Sequence, residues 1–316
     1  MRSVFTLFVT YLVASASALS SPPAGAITVG NGGKYATLSA ALQDTSSLVC
    51  HYYAFVRTPL TVGRHLTLKI YFIYSGTYTD TAIITRAHVR VYGQTNTPNS
   101  YTGNTSTAGS NDASGTVQVH AGNVSLYNLN VANTYGKDVD QAQAIALSVQ
   151  SGQFGAYGLK IMGDQDTLLA NVGTWIEGAV DFIFGMRASI WITRSVINTI
   201  GNGYITASGR SSDDANWYVI NNSTIQGTGK TYLGRPWRDY ARVVFQNSIL
   251  GSNVPAAGWS VWGSDNPQTD HVTFAEYGNT GSGASGTRAS FSTQLSAPVS
   301  ITTVLNSTSW IDSVFL

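Results

Sequence analysis

The chain has 316 residues, 43% of them hydrophobic and 11% aromatic, enough for a large core built as one domain. Only 10% are charged and the formal net charge is +1, which excludes the basic footprint of a nucleic-acid binder and an acidic disordered tail. The single cysteine, Cys50, excludes an intramolecular disulfide and a cysteine metal cluster. Set in the apolar run Val49-Cys-His51, it reads as a buried, inert thiol.

Met1-Arg2, the apolar stretch Val4 to Val13 and Ala16-Ser-Ala18 have the order of a secretory signal and its cleavage site. The apolar stretch is too short to span a bilayer, and no second candidate follows. Residues 1–18 are therefore expected to be a signal peptide, and 19–316 a single extracellular domain. Secretion gives meaning to the glycosylation triplets that begin at Asn104, Asn123, Asn221, Asn222 and Asn306.

Next along the chain, Leu38, Ala41 and Leu42 share one face and predict a short helix over Thr37 to Thr45. The middle of the chain repeats short apolar strands that end in polar turns. They are Leu126-Tyr-Asn-Leu-Asn-Val131, Ala156-Tyr-Gly-Leu-Lys-Ile161, Ile192-Thr-Arg-Ser-Val-Ile197, Ile220-Asn-Asn-Ser-Thr-Ile225 and Phe245-Gln-Asn-Ser-Ile-Leu250. Asn128, Gly158, Arg194, Asn222 and Asn247 take equivalent places in these units. Their recurrence at loosely regular intervals marks a strand-rich repeat architecture. No amphipathic helix separates the units, so a βαβ sheet is not favoured. The pattern predicts an all-β chain, a single-stranded right-handed parallel β-helix, with the N-terminal helix capping its open edge. A β-sandwich is the ordinary rival.

Familiar catalytic signatures fail. Gly281-Ser-Gly-Ala-Ser-Gly286 matches a dinucleotide pattern but lacks the strand and helix that give it meaning. No Gly-x-Ser-x-Gly elbow and no His-Glu-x-x-His is present. The five histidines (51, 65, 88, 120 and 271) show no ligand spacing, and no metal site is expected. Four polar islands remain: Gln143-Ala-Ile-Ala-Leu147, Gly163-Asp-Gln-Asp-Thr-Leu168, Gly178-Ala-Val-Asp-Phe-Ile-Phe-Gly185 and Leu233-Gly-Arg-Pro-Trp237. Asp181 stands out, because an acid between Ala-Val and Phe-Ile-Phe is costly to desolvate unless paired. An isolated acid and an Arg-Pro-Trp segment in so uncharged a chain suggest a site.

These four islands, in this order, resemble the signature set of the pectin methylesterases, in their fungal form. Gly76-Thr-Tyr78, Val91-Tyr-Gly-Gln94, Ser208-Gly-Arg-Ser-Ser212 and Glu276-Tyr-Gly-Asn-Thr280 add matches, so the resemblance covers roughly residues 27 to 312. It implies a pectin-lyase-like β-helix and no cofactor. Asp181 matches the family's nucleophile, Asp166 its general acid and base, and Gln165 and Gln143 its oxyanion donors. Arg235 matches the arginine that holds the nucleophile, and Trp237 the aromatic wall of the sugar subsite. The implied partner is methyl-esterified homogalacturonan, acted on by a secreted monomer with no nucleic acid or membrane involved. Arg235 should lower the pKa of Asp181, whose charge should raise that of Asp166.

Plainer roles stay open at this point. Gln143 and Gln165 could form an amide ladder, Trp237 could cover a hydrophobic cluster, and Arg235 could bridge any acid. One departure from the family matters more. Asp166 and Asp181 should be separated by one coil, for which ~20 residues or more are needed; here the separation is 15. A coil shortened around Ala170-Asn-Val-Gly-Thr174 would displace Asp166, and a shift of ~1 Å costs up to ~100-fold in rate. Smaller departures are Asp164 beside Asp166, and Asp80 where the family carries glutamate. A catalytically impaired homologue and another pectin-active β-helix enzyme, a polygalacturonase or lyase, are the alternatives.

Overall fold

The computed structural model describes residues 19–44, 68–94, 99–103, 110–135, 143–168 and 174–316. The signal segment, Cys50 and the Asn104 triplet lie outside them. The strands pair in parallel and step from rung to rung of a right-handed β-helix. No described helix is long and apolar enough to cross a membrane.

The turn residues singled out in the sequence explain how each rung bends. Asn128, Gly158, Arg194, Asn222 and Asn247 all adopt left-handed backbone, with φ between 45° and 63°. A single residue of that hand turns one strand into the next, and Asn and Gly tolerate it best. Inside the coil, aliphatic side chains stack one per rung. Val131, Ile161, Ile176, Ile197, Ile225 and Leu250 form one unbroken ladder of registered partners, all fully buried. Each contributes about 1.5–3 kcal/mol by leaving water.

The N-terminal helix is Leu38–Leu42, capped by Thr37, and it places Leu38 and Ala41 on the end of this core. Asp80 holds it there: its carboxylate accepts from the Ser39 amide at 2.8 Å and the Ser39 hydroxyl at 2.5 Å.

The interval from Gly158 to Arg194 contains two rungs rather than one. Leu159 pairs with Thr174 across the first, and Trp175 pairs with Val196 across the second. In the first of these rungs the short stretch is residues 169–173, which lie outside the described residues. Register partners show where: the path from Leu168 to Trp175 is little more than half as long as the matching paths from Leu147 to Lys160 and from Ile183 to Val196. In the neighbouring rungs that stretch includes the strands Phe154–Tyr157 and Ile190–Thr193. Among the described residues no strand lies between these two, and the outer sheet is divided into two five-stranded pieces.

The C-terminal arm spans both pieces. Val299 exchanges two hydrogen bonds with the Gln246 side chain, at 2.9 and 3.0 Å. Ile301 and Leu305 of the helix Ile301–Leu305 pack against Tyr127 and Tyr157 on one piece and Trp191 and Val219 on the other. Tyr92, Tyr127 and Tyr157 stack rung upon rung at 4.6 and 4.7 Å, and Phe315 adds the next ring at 4.6 Å. Arg194, beyond the gap, donates to the Leu316 carbonyl at 3.5 Å.

Candidate active site

The short rung keeps its register on the side that carries the polar islands. Gln143, Gln165, Val180, Tyr204 and Tyr232 are successive partners from rung to rung. The residues that follow Gln165 and Val180 are Asp166 and Asp181, so the two acids occupy equivalent places on consecutive rungs. Both are left-handed, with φ of 62° and 50°. Backbone bonds fix the alignment: Asp166 N–H donates to Val180 O at 3.2 Å and Leu168 N–H to Phe182 O at 2.8 Å. The backbone register of the two acids is therefore kept on this side despite their short spacing.

Both carboxyls are buried, at 5% exposure each. Arg235, from the strand Thr231–Pro236, reaches Asp181 with Nε at 3.0 Å and Nη2 at 2.7 Å, a bidentate pair. Among the described residues Asp166 has no such partner. Burial, reinforced by the Asp181 charge, pushes Asp166 up to about 7, with Arg235 pulling the other way. Asp181 is raised as well, against the sequence expectation. Its burial is the largest cause, and the Arg235 hydrogen bonds and charge oppose it. The asymmetry still follows from contact: Arg235 grips Asp181 directly, and the resulting charge acts on Asp166, so Asp181 ionises first.

Gln143 is exposed and Gln165 half-buried, and among the described residues neither side-chain amide is engaged in a hydrogen bond. Among the described residues the two amides thus form no ladder. Trp237 is half-buried over Phe184, ring centroids 6.3 Å apart, in a cluster with Ile145 and Ala207. It therefore covers an apolar cluster while staying partly exposed. Phe184 and Trp237 also border a cavity of about 960 Å³ that extends between the two outer half-sheets, and neither acid lines it. Asp164 accepts the Ala179 and Val180 amides through its carbonyl, at 2.9 and 3.3 Å. Among the described residues no group of three or more His, Cys, Asp or Glu is placed to hold a metal ion.

Sequence reasoning did not find Tyr204 and Trp262, whose rings both contact the Arg235 guanidinium. Trp262 follows Trp259 in a Trp-rich loop, a weak signal, and nothing local marks Tyr204.

The family model for pectinesterases matches residues 57–298. The chain belongs to the pectinesterase family. A pectinesterase of Aspergillus aculeatus is 38% identical over 347 aligned positions, covering 100% of this chain and 99% of that one. One from Aspergillus niger is 36% identical with the same coverage. These alignments run longer than the 316 residues present, so the relatives carry segments this family member lacks. The crystal structure of an Aspergillus niger pectin methylesterase superposes with a TM-score of 0.78 at 34% identity, covering 94% of this chain and 99% of that one. The carrot pectin methylesterase, at 24% identity and TM-score 0.76, shares the fold.

Proposed function

We propose that this pectinesterase hydrolyses the methyl esters of galacturonate units in pectin, with Asp181 as nucleophile and Asp166 as general acid and base. The observation that carries the reading is the pair of buried acids in register on consecutive rungs, only one of them gripped by an arginine. Asp181, the first to ionise, attacks the C6 carbonyl carbon. The carbonyl π pair moves onto oxygen, where the Gln143 and Gln165 amides supply hydrogen bonds to the oxyanion. Asp166, still protonated near neutrality, gives its proton to the methoxy oxygen as the C–O bond breaks, and methanol leaves. The resulting Asp181 anhydride is opened by water, which gives one proton to Asp166; the galacturonic acid so formed loses the other to solvent, and Asp181 is restored as a carboxylate. A pKa of about 7 suits a group that must give and then take a proton.

Trp237 supplies a wall against which a sugar ring can stack. The signal-like residues 1–18 and the uncharged composition support a secreted monomer, its domain spanning 19–316, acting on methyl-esterified homogalacturonan. The test is methanol release across pH. Turnover requires protonated Asp166, so the rate is expected to fall as pH rises through about 7. A rate still rising well above that value would contradict the assignment of Asp166.

A further inference from the structure

The Arg235 guanidinium is in cation–π contact with two aromatic rings. Its central carbon is 4.1 Å from the centroid of Tyr204 and 4.2 Å from that of Trp262. Its N–H edge stays available beside these rings, and Nε and Nη2 of that edge bond Asp181. The rings come from separate elements. Tyr204 stands on the strand Val196–Ser208 and is backed by Tyr232 of the next rung, centroids 5.8 Å apart at 21°. Trp262 stands in the loop that follows the Gly234–Trp259 bridge. That loop is tied by the Trp262 amide to Pro267 O at 3.1 Å and by Gln268 Nε2 to the Trp237 carbonyl at 3.4 Å.

We propose that Tyr204 and Trp262 are positioning residues: they clamp the Arg235 guanidinium edge-on to Asp181 and thereby keep the nucleophile ionised. The proposal rests on the reading of Asp181 and Asp166 given above. A guanidinium is weakly hydrated on its faces and binds π surfaces there, so two rings restrain its tilt without competing for its edge donors. An arginine free to swing would exchange a bidentate contact for a single one. The charged groups facing Asp181 are Arg235 and, from the preceding rung, Asp166. Arg235 disfavours protonation of both acids, so a loosened clamp raises both.

The test compares Tyr204→Leu and Trp262→Leu, which keep bulk without a π face, with Tyr204→Phe and Trp262→Phe, which keep the face. Two readouts are taken: the pH–rate profile for methanol release, and the Asp181 carboxyl titration in the resting enzyme by carbon-13 NMR. The leucine variants should lose about 10- to 100-fold in kcat with KM unchanged. Both limbs of their profiles, and the Asp181 titration, should move to higher pH; the phenylalanine variants should restore all three. An unmoved titration in folded Trp262→Leu, or a rise in KM alone, would overturn the clamp and leave Trp262 as part of the sugar wall. The titration reports on the clamp even if the wild type releases no methanol. A failed catalytic assignment and a failed clamp therefore give different results. Should Tyr204→Leu not fold, Trp262→Leu, in its loop, carries the comparison alone.

Discussion

The two sides of the short rung meet its shortening differently. On the groove side, Asp166 and Leu168 still donate to Val180 and Phe182, and Ile176 still fills its place in the buried ladder between Ile161 and Ile197. On the outer side the described strands fall into two pieces, and the C-terminal arm lies across both, with Phe315 continuing the tyrosine stack. Register within a parallel coil is enforced by direct backbone bonds to the rungs above and below. The groove side of a rung can therefore hold its place by these bonds. The two outer pieces are joined by side-chain packing from the C-terminal arm. The acids sit on the side held by backbone bonds.

The largest effect that would sharpen this contrast is expected at Asp166. Asp166→Asn keeps the shape and removes the proton traffic, and should cut kcat by about 10²–10⁴-fold. It should also stabilise the fold at alkaline pH. The folded value of about 7 lies above the ordinary 3.8, so the folded state keeps a proton that the unfolded chain releases. The stability this group contributes is complete below 3.8 and is lost as pH rises through about 7. Above that, the asparagine variant should gain at most about 4 kcal/mol over wild type, seen in denaturant melts at several pH values. Equal stability at mildly alkaline pH would show that Asp166 is not held protonated by its surroundings.

The arm comes next. Truncation after Ser309 removes Ile311, Phe315 and the Arg194 contact, and should cost about 3 kcal/mol. Methanol release below the new Tm should remain near wild type. Activity lost in a folded truncated protein would break the comparison, because the groove would then depend on the outer side. The smallest effect is expected at Asp80→Ala, which frees Ser39 and the capping helix at about 1 kcal/mol, with activity unchanged.

Much of this was legible in the sequence. The left-handed turn at Asn128, Gly158, Arg194, Asn222 and Asn247 leaves a local mark, since few residue types accept it, and the helix at Leu38–Leu42 shows its apolar face. The four islands were legible because buried polar groups are rare in an uncharged chain. What was hidden lies across rungs. Tyr204 and Arg235 meet from different rungs, and rungs of unequal length leave no fixed spacing from which such neighbours can be counted. For the same reason, the interval from Gly158 to Arg194 reads as one repeat when it holds two rungs. The net rise at Asp181 depends on how deeply the groove buries it, which flanking residues alone do not reveal. Asp80 departs from the family's glutamate, and only the fold shows what it does here, which is to hold Ser39.

The most direct test of the account is methanol release from highly methylated pectin by the secreted protein and its Asp181→Ala variant. Release by the wild type that disappears in a folded variant is the predicted result, and would show that the register kept by the short rung is sufficient for catalysis. No release from a correctly folded wild type would contradict it, and would mark this chain as a family member whose shortened rung has cost it the reaction.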